Sequence, residues 1–202
     1  MNTLQSNTLI TLNNVSKKFG SNWIFRGVSA EFLAGRKYAI TGANGSGKST
    51  LLKVLAGIIT PNAGEVRFAF EDVYQHISFS APYMDLPEEL TLHELFKFHQ
   101  NIRRLSISQQ AFMAEVQLEG DKEIRNYSSG MKQRLKLAFA FFTESKILLL
   151  DEPSATLDEH WNNWYLKTVQ QVAPERLVII SSNIPAEYVF CDLTLDVGQF
   201  KK

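Results

Sequence analysis

One cysteine, no excess of either charge and no long apolar run set the first limits on this 202-residue sequence. Cys191 has no second cysteine to pair with, so an internal disulfide is excluded; it reads as a small buried hydrophobe, and a reducing cytoplasm fits. Lys and Arg number 21 against 21 Asp and Glu. That balance gives no sign of a clustered basic face for gripping nucleic acid, and no nucleic-acid partner is expected. The best candidates for a membrane span, Leu137–Phe142 and Ile147–Leu150, are interrupted by Thr143, Glu144, Ser145 and Lys146. The opening MNTLQSNTLITL has no basic segment followed by an apolar stretch, so no secretion signal is read. Any service to a membrane would run from the cytoplasmic side through a partner. Internal repeats, low-complexity tracts and linkers are lacking as well, and the length suits one sizeable core.

What is present alternates between strand and helix. Thr8–Leu12 and Val28–Phe32 carry alternating or β-branched apolar residues and read as strands. Lys37–Thr41 is a short strand running into glycine-rich sequence, and Ser49–Ala56 reads as a helix stopped by Gly57. Pro61, Asn62 and Gly64 mark a turn before a strand at Glu65–Phe70, with another around Val73–Phe79. From Leu92 to Glu119 the pattern is helical, with Leu92, Leu95, Phe96, His99 and Ile102 on one spacing. A helix over Ser129–Thr143 sets Leu135, Ala138, Phe139 and Phe142 on one face. Ile147–Leu150 and Leu177–Ser181 are fully apolar strands, as strands buried on both faces are, so a largely parallel sheet between helices is expected. The mostly helical stretch of about fifty residues from Pro82 to Leu137 reads as an insertion into that α/β core.

Two motifs carry chemistry. Gly42-Ala43-Asn44-Gly45-Ser46-Gly47-Lys48-Ser49-Thr50 contains the spacing G-x-x-x-x-G-K-S between a strand and a helix. Backbone N–H groups that converge on an anion need glycines, which tolerate positive φ and present no Cβ. The helix behind them aims its positive end at the same anion. Lys48 reaches the β- and γ-phosphates of a nucleotide, and the Ser49 hydroxyl is placed to ligate Mg²⁺. Further on, Asp151 and Glu152 end the apolar strand Ile147–Leu150, at the edge where open α/β sheets bind ligands. There Asp151 would hold Mg²⁺ through water, and Glu152 would orient or deprotonate an attacking water.

Tyr127-Ser128-Ser129-Gly130-Met131-Lys132-Gln133-Arg134 precedes that acidic strand. It resembles the LSGGQ signature of ATP-binding-cassette (ABC) ATPases, and the order phosphate loop, signature, acidic strand is also theirs. The resemblance covers nearly the whole chain and is nearest to short bacterial cassettes of export-type transporters. Asn14-Val15-Ser16-Lys17-Lys18-Phe19-Gly20 resembles the lead-in to the aromatic that stacks on adenine, which makes Phe19 either that platform or a core residue. Ser154-Ala155-Thr156-Leu157-Asp158 resembles the D-loop, with Asp158 as its aspartate. The implied fold is α/β, the P-loop NTPase fold: a parallel or mixed sheet flanked by helices, with N-terminal antiparallel strands. Its core would comprise about 1–81 and 138–202, and an inserted helical subdomain about 82–137. The implied cofactors are ATP and Mg²⁺. The implied partners are a transmembrane permease subunit and a second cassette, in a homodimer or heterodimer that sandwiches ATP between one phosphate loop and the other chain's Ser128 and Gly130. The chain would then sit in the cytoplasm, peripheral on the inner face of the cell membrane.

The sequence also departs from that pattern. The family's metal-side glutamine falls at Pro82, which offers neither a side-chain oxygen nor an N–H, and Gln75 lies too early to substitute. Asn183 stands at the switch histidine after Leu177–Ser181; it can donate a neutral hydrogen bond to a γ-phosphate but cannot become cationic. Tyr127, Ser129 and Met131 replace the signature's leucine, glycine and glutamine. His99 and His160 lack metal-ligand partners at useful spacing. Trp161 and Trp164 are an i,i+3 pair on a helix and pack. Arg103-Arg104 reads as a solvated helix face or a contact to a membrane partner. Three functions follow: the ATPase of a transporter, a soluble ABC ATPase, or a regulatory module that closes on ATP with slow turnover. A phosphoryl-transferring kinase is excluded by Asp151-Glu152 and the Ser-Ser-Gly helix start.

Overall fold

Every residue of strands β6 (Ile147–Asp151) and β7 (Leu177–Ser181) is buried, and these two form the middle of the sheet. The computed structural model describes residues 7–201; residues 1–6, part of the segment read above for a secretion signal, lie outside them, as does Lys202. Five strands lie in the order β5-β6-β7-β3-β8, all adjacent pairs parallel, with β3 at Lys37–Thr41, β5 at Ile77–Ser80 and β8 at Leu193–Asp196. Side chains alternate across the central strands. Ile147, Leu149, Leu177 and Ile179 join the core beneath helix α1 (Lys48–Leu55), while Leu148, Leu150, Val178 and Ile180 join the core beneath α5 (Ser129–Phe142) and α6 (Glu159–Val172). Each such side chain contributes about 1.5–3 kcal/mol by leaving water, so a polar residue on either face would be costly.

A second, antiparallel sheet in the order β2-β1-β4 lies over α1 and completes that core. Its strands are β1 (Thr8–Phe19), β2 (Asn22–Leu33) and β4 (Ala63–Phe68), which makes the first two longer than their apolar segments suggest. They join through a two-residue turn in which Gly20 takes φ 57, leaving Phe19 at its mouth.

The other side of the parallel sheet is helical. α3 (Leu92–Ile102) begins with a capping box between Thr91 and Glu94, and α4 (Gln109–Val116) begins on the side-chain cap of Ser108. Their core is continuous with that of α5, α6 and the sheet face.

Two expectations need correction here. The helical stretch Leu92–Glu119 is two helices, because Arg103 is extended (φ −138) and its guanidinium is drawn away. It donates to the carbonyls of Tyr74 (2.6 Å), Ile77 (3.0 Å), Gln75 (3.1 Å) and Glu144 (3.2 Å), so Arg103 is no solvated helix face; Ile102, in turn, is 61% exposed. The same bonds explain the other difference. Val73–His76 forms a short helical turn, α2, instead of the start of a strand, and Arg103 satisfies carbonyls that a strand partner would otherwise take. A four-residue helix, α7 (Pro185–Tyr188), completes the chain between β7 and β8.

Candidate functional site

Residues 42–50 bridge β3 and α1. Gly42 has φ 135, where an added Cβ would stand 2.7 Å from the Ser46 Oγ; at Gly47 (φ 105) it would meet Ile24 Cγ2 at 2.5 Å. Both glycines are therefore required by the turn itself. Ala43, Asn44 and Gly45 form an exposed rim, while Ser46 and Lys48 are buried and Ser49 and Thr50 lie in the first turn of α1. No side chain caps α1 and its first turn holds no acidic residue, so its leading N–H groups and positive dipole end stay available to an anion. Lys48 Nζ folds back onto the Gly42 (2.9 Å) and Ala43 (3.4 Å) carbonyls, where it stands inside the loop. The Ser46 Oγ is buried without a partner.

The ends of β6 and β7 meet this loop. Asp151 is 1% exposed, and both of its carboxylate oxygens are buried without a hydrogen-bond partner. A buried carboxylate left so is costly, and a cation is the usual complement. No group of three or more His, Cys, Asp or Glu converges among the described residues, so such a cation would draw on Asp151, on the Ser49 hydroxyl and on the ligand's own oxygens. Glu152 turns outward with φ 41, its N–H donating to the Ser181 carbonyl at 2.8 Å. Asn183, just past β7, donates from Nδ2 to the Asn44 Oδ1 at 3.0 Å. The structure thus brings Asn44, Lys48, Ser49, Asp151, Glu152 and Asn183 to one edge of the sheet.

Ser128 and Gly130 lie elsewhere. Ser128 caps α5, its Oγ accepting from the Met131 N–H at 3.2 Å, and Asp158 caps α6 in the same way through Trp161 (2.9 Å). The two caps face one recess of about 280 Å³, shared with Arg134, Thr156 and Trp161 and with none of residues 42–50. At Gly130 an added Cβ would stand 2.9 Å from the Thr156 carbonyl, so this close approach is also built on glycine. The guanidinium of Arg134 covers the Trp161 ring at 3.5 Å, and Trp161 and Trp164 pack edge to face, 5.7 Å apart.

The model of the family described as ABC transporter matches residues 25–155. The chain belongs to the ABC transporter family. Among curated relatives it is 29% identical to the ABC transporter ATP-binding protein YybJ of Bacillus subtilis, over 94% of this chain and 93% of that one. It is 27% identical to the daunorubicin resistance ATP-binding protein DrrA3 of Streptomyces coeruleorubidus, over 96% of this chain and 72% of the other. Among solved structures, an ABC transporter ATP-binding protein from Pyrococcus furiosus matches with a TM-score of 0.82 at 21% identity, covering 96% of this chain and 99% of that chain. A dimeric bacterial cassette, MJ0796, matches at 0.80 and 22%, covering 94% and 95%. These likenesses show the fold, and the family makes the chain an ATP-binding and ATP-hydrolysing transporter subunit.

Two residues of the cassette's site region go beyond the motif reading. Tyr83, next to Pro82, lies over α1 with the Lys53 ammonium 4.0 Å from its ring centroid. Asp196, at the end of β8, approaches Gly42 and accepts from the Gly198 N–H at 2.9 Å. Neither belongs to a spaced motif; only their positions after strands facing the loop would have drawn attention. Phe19 is 54% exposed with the Lys17 ammonium 5.2 Å from its ring, which removes it from the core. Pro82 is exposed, its carbonyl held by Lys136 Nζ at 2.8 Å, and Cys191 is half-buried, where burial pushes its thiol up to about 12. His99 bonds Thr143 at 2.8 Å and stacks on Phe139.

Proposed function

We propose that this cassette binds ATP·Mg²⁺ on residues 42–50 and hydrolyses it with Glu152 while paired head to tail with a second cassette. The observation that carries the reading is the separation of two half-sites. The phosphate loop, Asp151, Glu152 and Asn183 share one edge, whereas Ser128, Gly130 and Asp158 open into a recess that no loop residue lines. A helix N-terminus with such a recess suits a γ-phosphate presented by another chain. Lys48 would serve the β- and γ-phosphates, Ser49 and Asp151 would hold the metal, and Phe19 would stack on adenine. When bound, Mg²⁺ neutralises charge on the phosphates. Glu152 is exposed on the partner-facing rim, where it would orient or deprotonate water, and Asn183 would donate to the γ-phosphate.

The second cassette is a like copy or a related chain, and the membrane is reached through a permease. Among the described residues no helix is long and apolar enough to cross a membrane. A groove of about 350 Å³ between β5, α3 and α5, lined by Phe79, Met84, Leu86, Phe98 and Phe139, suits an apolar segment of that permease; Phe98 is 51% exposed there. On this reading the chain sits in the cytoplasm, peripheral on the inner face. Residues 82–137 act as the helical subdomain and supply most of that groove's lining. The second reading, a slow or regulatory cassette, rests on Pro82 and the neutral Asn183. Glu152→Gln tests the main one: it should bind ATP, stall and accumulate a dimer in sedimentation. A monomer at saturating ATP, with the permease present, would refute it.

A further inference from the structure

Pro82 leaves the metal side of the site without a side-chain donor, but the backbone delivers the next residue there. β5 runs parallel to β6 with Ser80 beside Leu150, so Ala81 leaves the sheet at the level of Asp151. The segment is then pinned: Lys136 Nζ donates to the Ala81 (3.3 Å) and Pro82 (2.8 Å) carbonyls, and the Met84 N–H closes a turn onto the Ala81 carbonyl at 3.2 Å. Tyr83 is carried back over α1, where Lys53 holds its ring at 4.0 Å. Lys53 and Ser49 are one turn apart on the same face of that helix, so the ring lies beside the turn that bears Ser49. Opposite stands the buried, unpartnered carboxylate of Asp151.

We propose that Tyr83 is the metal-side positioning residue of this cassette: its phenol O–H donates to the Asp151 carboxylate and fixes it toward a nucleotide-bound divalent cation. The role rests on the proposed ATP·Mg²⁺ site. Tyr83 remains half-exposed, and neither Asp151 oxygen has a hydrogen-bond partner in this structure. Phenol and carboxamide differ in a useful way: a phenol O–H offers one short donor, whereas glutamine also offers a carbonyl oxygen to the metal itself. Tyr83 therefore orients Asp151 instead of joining the metal's ligands.

Tyr83→Phe removes the hydroxyl and keeps the ring on Lys53. Binding of a non-hydrolysable ATP analogue to the full chain should be measured by calorimetry with Mg²⁺ and with EDTA. In Tyr83→Phe the gain in affinity supplied by Mg²⁺ should fall about ten- to a hundredfold, the range set by one hydrogen bond to a charged group, with metal-free affinity within about twofold of the parent. An unchanged Mg²⁺ gain, or equal losses with and without metal, would overturn the inference, since a packing role moves both together. If the parent chain binds no analogue, or gains nothing from Mg²⁺, the proposed site fails and takes this role with it.

Discussion

Asn183→His asks whether the neutral residue after β7 limits hydrolysis. The carboxamide Nδ2 stands 3.0 Å from the Asn44 Oδ1 on the exposed rim of the phosphate loop, so residue 183 reaches the loop that would hold a γ-phosphate. A neutral donor to a phosphate contributes about 1.5 kcal/mol, the low end for a hydrogen bond to a charged group, and a cationic donor adds about 1–2 more. The difference, about 1–2 kcal/mol, corresponds to roughly five- to thirtyfold in rate if it is felt only in the transition state. Losing the exposed contact to Asn44 costs little, because water replaces it on the rim. On the proposed site, ground-state affinity would rest on the loop N–H groups and Lys48, which the substitution does not touch. Single-turnover hydrolysis at saturating ATP·Mg²⁺ should therefore accelerate by that factor, while the ATP dissociation constant from calorimetry stays nearly constant. A flat or slower rate would refute the reasoning: either residue 183 does not face the phosphate, or the rim has repacked around asparagine.

Lys48→Ala deletes a cation that is buried inside the loop, and ATP affinity should fall by at least about tenfold in calorimetry. Arg103→Ala removes four bonds to carbonyls from two segments; stability should drop by about 2–4 kcal/mol, read as a thermal midpoint lowered by about 5–12 °C. His99 is pushed down to about 4 by burial and then by the Arg103 charge, so between its unfolded value near 6.5 and about 4 the unfolded chain holds the extra proton. Stability should thus be full above that window and decline as pH falls through it, by about 1–2 kcal/mol after allowing for partial exposure. His99→Gln should flatten that part of the urea-midpoint profile.

What the sequence made legible was local. The glycines of residues 42–50 meet a steric demand made by their own turn and by close neighbours, and β3, β6 and β7 advertise burial on both faces through unbroken apolar runs. Elements whose form depends on a distant partner were not legible. α3 stops where Arg103 is drawn to carbonyls about thirty residues earlier and forty later, and α2 replaces a strand for the same reason. Phe19 offered the same composition as a core residue until the hairpin turn at Gly20 carried it outward. Tyr83 matters only because the β5–β6 register and Lys53 bring it across to α1.

The loop after β6 is held by elements that belong to both proposed half-sites. Its backbone is not set by its own residues, since Glu152 and Thr156 both hold positive φ, an unfavourable region for side-chain-bearing residues. It is held from both sides. Gln133 of α5 donates from Nε2 to the Pro153 carbonyl at 3.0 Å, and Glu187 of α7 accepts from the Ser154 N–H at 3.0 Å and from its hydroxyl. Both anchors are buried, so releasing either would leave polar groups unsatisfied at about 1–3 kcal/mol each. One anchor belongs to the helix that Ser128 caps, the other to the segment that follows Asn183. The positive-φ conformation at Glu152 therefore depends on α5 and α7 together. A displacement of α5 by a partner's nucleotide would be felt first at Pro153, one residue from Glu152.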